Sequence, residues 1–299
     1  MSVNPFCNGA ALKEIAREHP CFGGEAHYKF GRIHLPVSPE CNIRCRFCVR
    51  SFNKAEQRPG VSQTVLSPQR ALEIVDKAVG LCPELRVVGI AGPGDTLATP
   101  HALETFRLVH AKYPELILCL STNGLLLARY AKQLWQAGVR TVTVTVNAVD
   151  PQIQQQINRY IELDGVVYRD LEAAGRLIAA QRQGIAAAVA LGMAVKVNTV
   201  LVPGVNDGHI GDIAREVAAL GVGIYNLIPL IPQGAFRDVP APGCDEINAA
   251  REQAEPYLDV FRHCKHCRAD AFGVPGRQQD LSSLLYEDEV RAEDTFSHG

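Results

Sequence analysis

The chain predicts an α/β protein, organised as a partial (β/α)6 barrel of the kind that places its active residues at the strand C-termini. Three observations carry this. Short apolar or β-branched runs alternate with longer helical stretches from about Arg32 to Phe261. Helix starts and stops are punctuated, as in Ser67-Pro68 at a start and Gly138 at a stop. Apolar residues make up 47% of the 299 residues, ample for one undivided core of this size. Alternating βα units imply a parallel sheet with helices outside. Six strands suit the partial barrel, and a closed eight-stranded barrel is the alternative.

In chain order, residues 1–30 read as an N-terminal extension with one short helix, Ala10–Glu18, broken by Pro20 and the Gly23-Gly24 pair. Arg32–Val37 is the first strand. After a cysteine-rich loop come helix Pro68–Gly80, strand Arg86–Ala91, helix Pro100–Tyr113, strand Leu116–Leu120 and helix Leu125–Gly138. Thr141–Val146 is β-branched throughout, hence a strand. Helix Asp170–Gly192, strand Ala194–Leu201, helix Asp207–Leu220, strand Gly223–Leu230 and a last long helix, Cys244–Phe261, follow. The barrel with its C-terminal cysteine pair is expected over residues 31–276, and residues 277–299 as a polar tail.

A net charge of −2 gives no bias toward polyanions, so nucleic acid is not the expected partner. No run approaches the roughly 18 apolar residues of a membrane span. The first 29 residues are mixed and polar, without a signal stretch. Of the ten cysteines, those that cluster therefore read as metal ligands in a reducing cytoplasm rather than as disulfides.

Cys41, Cys45 and Cys48 stand out, spaced C-x3-C-x2-C. Thiolates this close converge on one soft metal centre. A structural zinc ion would want a fourth protein ligand nearby. A [4Fe–4S] cluster takes four ligands, so three cysteines leave one iron free. Phe47 can pack beside the cofactor. The C-x3-C-x-F-C pattern resembles that of radical SAM enzymes. The resemblance implies a cluster whose open iron chelates the amino and carboxylate groups of S-adenosylmethionine (SAM), which is cleaved to a 5′-deoxyadenosyl radical.

Other segments fall at expected strand ends. Gly92-Pro93-Gly94-Asp95 follows the second strand, where glycines allow close backbone approach to a ligand and Asp95 can accept from an ammonium. Thr122 and Asn123 follow the third strand, with groups suited to a ribose or a carboxylate. Asn147 ends the fourth. Lys196 and Asn198 share parity on the fifth and should face the barrel interior, costly unless they serve a polar ligand. Asn226 is expected to line the same cavity. Cys264 and Cys267 form a second C-x2-C pair, with Cys21 as an available third thiolate and His27 as an imidazole ligand. Cys7, Cys82 and Cys244 read as structural.

The ordered set of segments resembles the NifB family over residues 19–276. It runs from His19-Pro20-Cys21-Phe22 and Glu25-Ala26-His27 through Arg58-Pro59-Gly60-Val61, Gly92–Asp95 and Leu118–Gly124. It continues with Thr143–Asn147, Lys196-Val197-Asn198, Pro203–Asp207 and His263–Gly273. The resemblance implies one SAM-cleaving cluster and one or two additional [4Fe–4S] clusters, fused with a SAM-derived carbide and an added sulfur into an eight-iron nitrogenase cofactor precursor. By resemblance, Cys21, His27, Cys119, Cys264 and Cys267 hold the substrate clusters. It further implies a cluster donor, a separate carrier or scaffold protein, and an electron donor such as ferredoxin or flavodoxin. The chain departs from the family between Arg50 and Gln57, where relatives usually carry another cysteine, and at Val49, where many have Asn. The alternative is a radical SAM enzyme on the same scaffold with one auxiliary cluster and another substrate.

Overall fold

The computed structural model describes residues 9–277, 280–286 and 295–296. Helix α1 (Gly9–Glu18) and the single turn α2 (Ala26–Lys29) lead into β1 (Gly31–His34). The cysteine loop contains β2 (Ile43–Cys45), and two short strands follow it, β3 (Arg50–Phe52) and β4 (Val61–Ser62). Then come α3 (Pro68–Leu81), β5 (Leu85–Ile90), α4 (His101–Lys112), β6 (Ile117–Thr122), α5 (Leu127–Gln136) and β7 (Val139–Thr145). Helix α6 (Pro151–Ile157) and the hairpin β8 (Asn158–Leu163) and β9 (Val166–Arg169) precede α7 (Asp170–Ala190). The chain continues with β10 (Ala194–Leu201), α8 (Ile210–Ala219), β11 (Ile224–Pro229), α9 (Cys244–Ala254), β12 (Asp259–Val260) and β13 (Phe272–Gly273). Last are α10 (Ser282–Tyr286) and β14 (Thr295–Phe296), which pairs with β3.

The main sheet has the order β12-β11-β10-β7-β6-β5-β1-β13. Its six central strands are parallel. Two-residue strands flank them, β12 parallel and β13 antiparallel. Among the described residues these two edges do not pair with each other, so the barrel is partial rather than closed. No described helix is long and apolar enough to cross a membrane.

Strand alternation sorts the sheet into two faces. One set (Ile33, Val88, Leu118, Val142, Val144, Val195, Val197) is buried beneath the helices in the main core. The other set faces inward in successive rows. Pairing puts His34, Gly89, Cys119, Thr141 and Ala194 in one row. Ser121, Thr143, Lys196 and Ile224 form the next, and Thr145, Asn198 and Asn226 the one beyond. The polar residues therefore share an interior because of register, not because of proximity in sequence.

The N-terminal extension folds back on this interior. Phe22, Ala194, Ile224 and Phe261 make a small core that also packs Leu12, Ile15, Ala16, Cys21 and Cys119. The cluster sits against the first residues of β10 and β11. A fully buried ion pair, Arg268–Asp270 at 2.8 Å, ties the C-terminal segment to the loop after β3. Arg268 also donates to the Glu56 and Asn53 carbonyls, and Asp270 accepts from the Gln63 amide.

Two expectations change and one unassigned stretch takes a defined form. The last long helix ends at Ala254, not Phe261, because Pro256 cannot continue it. Phe261 instead follows β12 and reaches the inner cluster. The stretch between β7 and α7 holds a two-residue hairpin, with Asp164 at φ 53° and Gly165 at φ 77°. Within the stretch expected as a polar tail, α10 buries Leu285 and Tyr286. Cys7 lies outside the described residues.

Candidate metal centre

One cavity of about 340 Å³ fills the barrel interior. Its C-terminal end is lined by Cys41, Cys45, Phe47 and Cys48. The sequence folds locally to aim these thiols inward. Cys45 pairs with Asn158 across β2 and β8, Cys48 N donates to Cys45 O at 3.2 Å, and Arg46 N donates to Ile157 O at 2.8 Å. Burial pushes the Cys41 thiol up to about 12, helped by the Asp95 carboxylate and Cys48. Burial also raises Cys45, with Cys48 and Cys41 next. It raises Cys48 too, opposed by Arg50, Arg44 and Arg58. Thiols that raise one another in this way lie close together and gain by losing protons to a shared cationic centre.

The residues fit a cluster better than a single ion. Cys41, Cys45 and Cys48 line one end of the cavity together, three thiolates where a tetrahedral ion takes four ligands. A cluster instead takes each thiolate on a separate iron.

The turns after β5 and β6 close this end. The Asp95 carboxylate accepts from Thr122 Oγ1 at 3.0 Å, Asn123 N at 2.6 Å and Leu97 N at 3.0 Å. Burial raises its pKa, opposed first by the Asn123 amide. Most of its acceptor capacity thus goes into joining the two turns. Asn123 Nδ2 donates to Asn42 Oδ1 at 2.7 Å, beside the first cysteine. The close approach expected at the glycines is to the chain itself. A Cβ on Gly94 would lie 1.9 Å from the Glu40 carbonyl oxygen, and Gly92 takes φ 123°. Gly94 lines the cavity and Gly92 does not.

A second set of thiols lies toward the other end of the strands. Cys21, Cys119, Cys264 and Cys267 all line the same cavity. Cys264 is exposed to solvent at the cavity rim, where Cys267 and Cys21 raise its thiol and Lys196 opposes them. Burial pushes Cys119 up to about 11, with Cys21 adding and Lys196 opposing. Arg32, the second residue of β1, donates to Cys267 Sγ at 3.2 Å and to the Gly273 carbonyl at 3.1 Å. The C-x2-C pair therefore sits near the strand N-termini rather than with the SAM-type cysteines at the C-termini, and the cavity joins the two. Cys82 is buried in the main core and Cys244 is exposed on α9, both away from the cavity.

Lys196 and Asn198 face the cavity as their parity predicts. Lys196 Nζ donates to the Cys21 carbonyl at 3.0 Å and stands over the rings of Phe22 and Phe261 at 5.0 and 5.5 Å. It straps the N-terminal extension in place. Asn147 Oδ1 accepts from Val200 N at 2.9 Å, and Asn198 Oδ1 from Asn226 Nδ2 at 3.1 Å. Asn226 is buried behind Asn198 rather than lining the cavity.

Two histidines on the cavity are held by backbone carbonyls in one tautomer. His27 Nδ1 bonds the Pro20 carbonyl at 3.0 Å, leaving a buried Nε2 with no protein partner. His34 Nδ1 bonds the Arg268 carbonyl at 3.1 Å. A carbonyl only accepts, so each ring carries its proton on Nδ1 and offers an Nε2 lone pair, the usual arrangement of a metal-bound imidazole. Burial and Arg32 hold His34 down to about 3. His34 was not among the sequence candidates. Its row in the sheet gives it away, since only the side-chain-free Gly89 separates it from Cys119.

The raised thiols imply a pH response. Metal-free protein should lose stability as pH rises from about 9 toward about 12. Thiols ordinarily ionise at 9.0, whereas the folded chain holds Cys41 protonated to about 12 and Cys119 to about 11. The stabilisation is complete below 9 and drains away through the folded values. Urea midpoints of the reduced apoprotein between pH 8 and 10.5 measure it. The fall should shrink in Cys119→Ser, and an unchanged fall there contradicts the assignment.

Comparison with known proteins agrees with this geometry. The profile of the "Radical SAM superfamily" matches residues 35–217. The chain is 44% identical over 278 residues to the "FeMo cofactor biosynthesis protein NifB" of Methanocaldococcus infernus, covering 92% of both. It is 38% identical to the protein of that name from Azotobacter vinelandii, covering 90% of this chain and 55% of that longer one. Among solved structures it resembles a radical SAM methyltransferase from Sphaerobacter thermophilus, with a TM-score of 0.52, 21% identity and coverage of 81% and 67%. It also resembles Streptococcus suis SuiB, with a TM-score of 0.57, 12% identity and coverage of 87% and 55%. The C-x3-C-x-F-C loop at the C-terminal end of a partial parallel barrel, together with this extent of identity, makes the chain a member of the radical SAM superfamily and, within it, of the NifB family.

Proposed function

We propose that this enzyme joins two substrate [4Fe–4S] clusters inside its barrel, adding a SAM-derived carbide and a sulfur, to form an eight-iron precursor of the nitrogenase FeMo cofactor. The observation that carries the reading is a single cavity lined by Cys41, Cys45 and Cys48 at one end and by Cys21, Cys264 and Cys267 toward the other. Cys41, Cys45 and Cys48 would hold a [4Fe–4S] cluster, which would supply the electron for SAM cleavage. Phe47 and the loops carrying Asp95, Thr122 and Asn123 close around that end. Cys21, Cys264 and Cys267 hold one substrate cluster, which Arg32 steadies through Cys267. Cys119 and His34 hold the other, across the gap left by Gly89, and His27 offers a neutral ligand that a substrate in transit can leave.

Partners follow from the chemistry. The clusters need a donor, the product a carrier or scaffold, and the electrons a source such as ferredoxin or flavodoxin. A reducing, oxygen-poor cytoplasm suits all three.

One observation favours a second reading, with a single auxiliary cluster and a different substrate. No cysteine lies between Arg50 and Gln57, and the side chains of Ser51, Asn53, Glu56 and Arg58 hydrogen-bond one another there. Cys119 and His34 are then two donors where three would be expected.

Anaerobic reconstitution separates the readings. Cluster fusion predicts about 12 iron atoms per chain if all clusters are [4Fe–4S], and both 5′-deoxyadenosine and S-adenosylhomocysteine on incubation with SAM. About eight iron atoms without S-adenosylhomocysteine would favour the single auxiliary cluster.

A further inference from the structure

Behind the first cluster site lies a chain of buried amides that no motif of the sequence accounts for. Asn158 begins β8 and is the Cα partner of Cys45. Its Nδ2 donates to Cys45 Sγ at 3.5 Å. Its Oδ1 accepts from Gln154 Nε2, one turn back on α6. Both residues line the cavity, and both are at least nine-tenths buried. Gln154 Oε1 is buried with no partner.

The direction of this chain follows from chemistry. A cysteine bound to iron is a thiolate, which accepts hydrogen bonds and donates none. Asn158 must therefore present its NH2 to Cys45 and its carbonyl to Gln154. Gln154 must then present its own NH2 to Asn158, which leaves its carbonyl as a buried, unpaired acceptor on a residue that lines the cavity. A buried amide oxygen left this way costs free energy unless a ligand supplies a donor. Gln181 gives independent support. Its Nε2 donates to the Asn123 and Thr145 carbonyls at 2.8 and 2.9 Å, and its Oε1 is likewise buried without a partner on the same cavity. SAM carries hydroxyl and amine donors that match two such acceptors.

We propose that Gln154 and Asn158 form a hydrogen-bonded relay that reads SAM occupancy at one end and tunes the SAM-cleaving cluster at the other. The proposal rests on the assignment of that cluster to Cys41, Cys45 and Cys48. A donor from SAM on Gln154 Oε1 polarises the amide and strengthens its bond to Asn158. Asn158 becomes a better donor to Cys45, and a stronger N–H···S bond favours the reduced, more negative cluster. SAM thus makes the cluster easier to reduce when there is substrate to cleave.

The test is an EPR-monitored redox titration of the full-length reconstituted chain, with and without SAM, on the signal that changes when SAM is added. Asn158→Leu should lower the midpoint potential in both conditions at unchanged iron content. Asn158→Asp, of equal size but offering only acceptors, should lower it further. Gln154→Met should bind SAM about five- to tenfold more weakly, the loss of one neutral hydrogen bond, and shift less positively on adding SAM than wild type. Wild-type midpoints in Asn158→Asp, or a wild-type SAM-induced shift in Gln154→Met, would overturn the relay. No SAM-responsive signal in the wild type would instead remove the cluster assignment, and the relay with it.

Discussion

Cys45→Ala should abolish 5′-deoxyadenosine formation and leave the barrel standing. Cys45 is the middle thiol of the loop, and Cys41 and Cys48 alone give two ligands where a site-differentiated cluster needs three. Iron should fall by about four atoms per chain. The fold should hardly respond, because the side chain faces the cavity rather than the core, and such changes fall within about 1 kcal/mol. Cys82→Ala is the converse. Cys82 is 3% exposed, packs in the main core and does not line the barrel cavity. That variant should lower the melting temperature while iron content and SAM cleavage stay as in wild type. Product chromatography, iron assay and thermal unfolding separate the two outcomes, and full activity in Cys45→Ala would sink the cluster assignment.

The contrast between two cysteines of one chain shows what a sequence makes legible. Ligands close in sequence announce themselves by spacing, as Cys41, Cys45 and Cys48 do, and alternating βα units predict the sheet that carries them. Elements held by distant pairing do not. Arg32 reaches Cys267 across 235 positions and Asn158 reaches Cys45 across 113, so neither has a local pattern to betray it. His34 comes into view as a candidate only once the register places Gly89 between it and Cys119. The hairpin of β8 and β9 is a different case. Asp164-Gly165 between apolar runs is a strong hairpin signal, but the Ala-rich helix that follows dominates the segment. Pro256 likewise marks the end of α9 within an otherwise helical composition. Lys196 and Asn198 show the limit from the other side. Parity correctly predicts that both face inward, yet Lys196 is spent on the Cys21 carbonyl and two aromatic rings, a role that exists only once the N-terminal extension has folded back.

Replacing Cys21, Cys264 and Cys267 together by Ala should remove about four further iron atoms per chain while SAM is still cleaved to 5′-deoxyadenosine. The three thiols belong together physically: Cys267 and Cys21 both raise the Cys264 thiol, and Cys267 raises Cys21 in turn. They come from opposite ends of the chain, so their meeting depends on the packing of Phe22 and Phe261 and on the Lys196 strap. Basal SAM cleavage should survive because the first cluster draws on none of these residues and lies toward the other end of the strands. Cys264→Ala alone should lower iron partially, since two thiolates and a nearby imidazole retain some affinity. His27→Ala should keep most of the iron and chiefly impair fusion, because a neutral ligand held only by the Pro20 carbonyl contributes less to affinity than a thiolate. Iron content separates these outcomes more surely than activity does, as it reads each site whether or not the reaction completes. Equal iron in wild type and the triple variant would show that no second cluster is held there, and the cavity would then serve SAM and a different substrate.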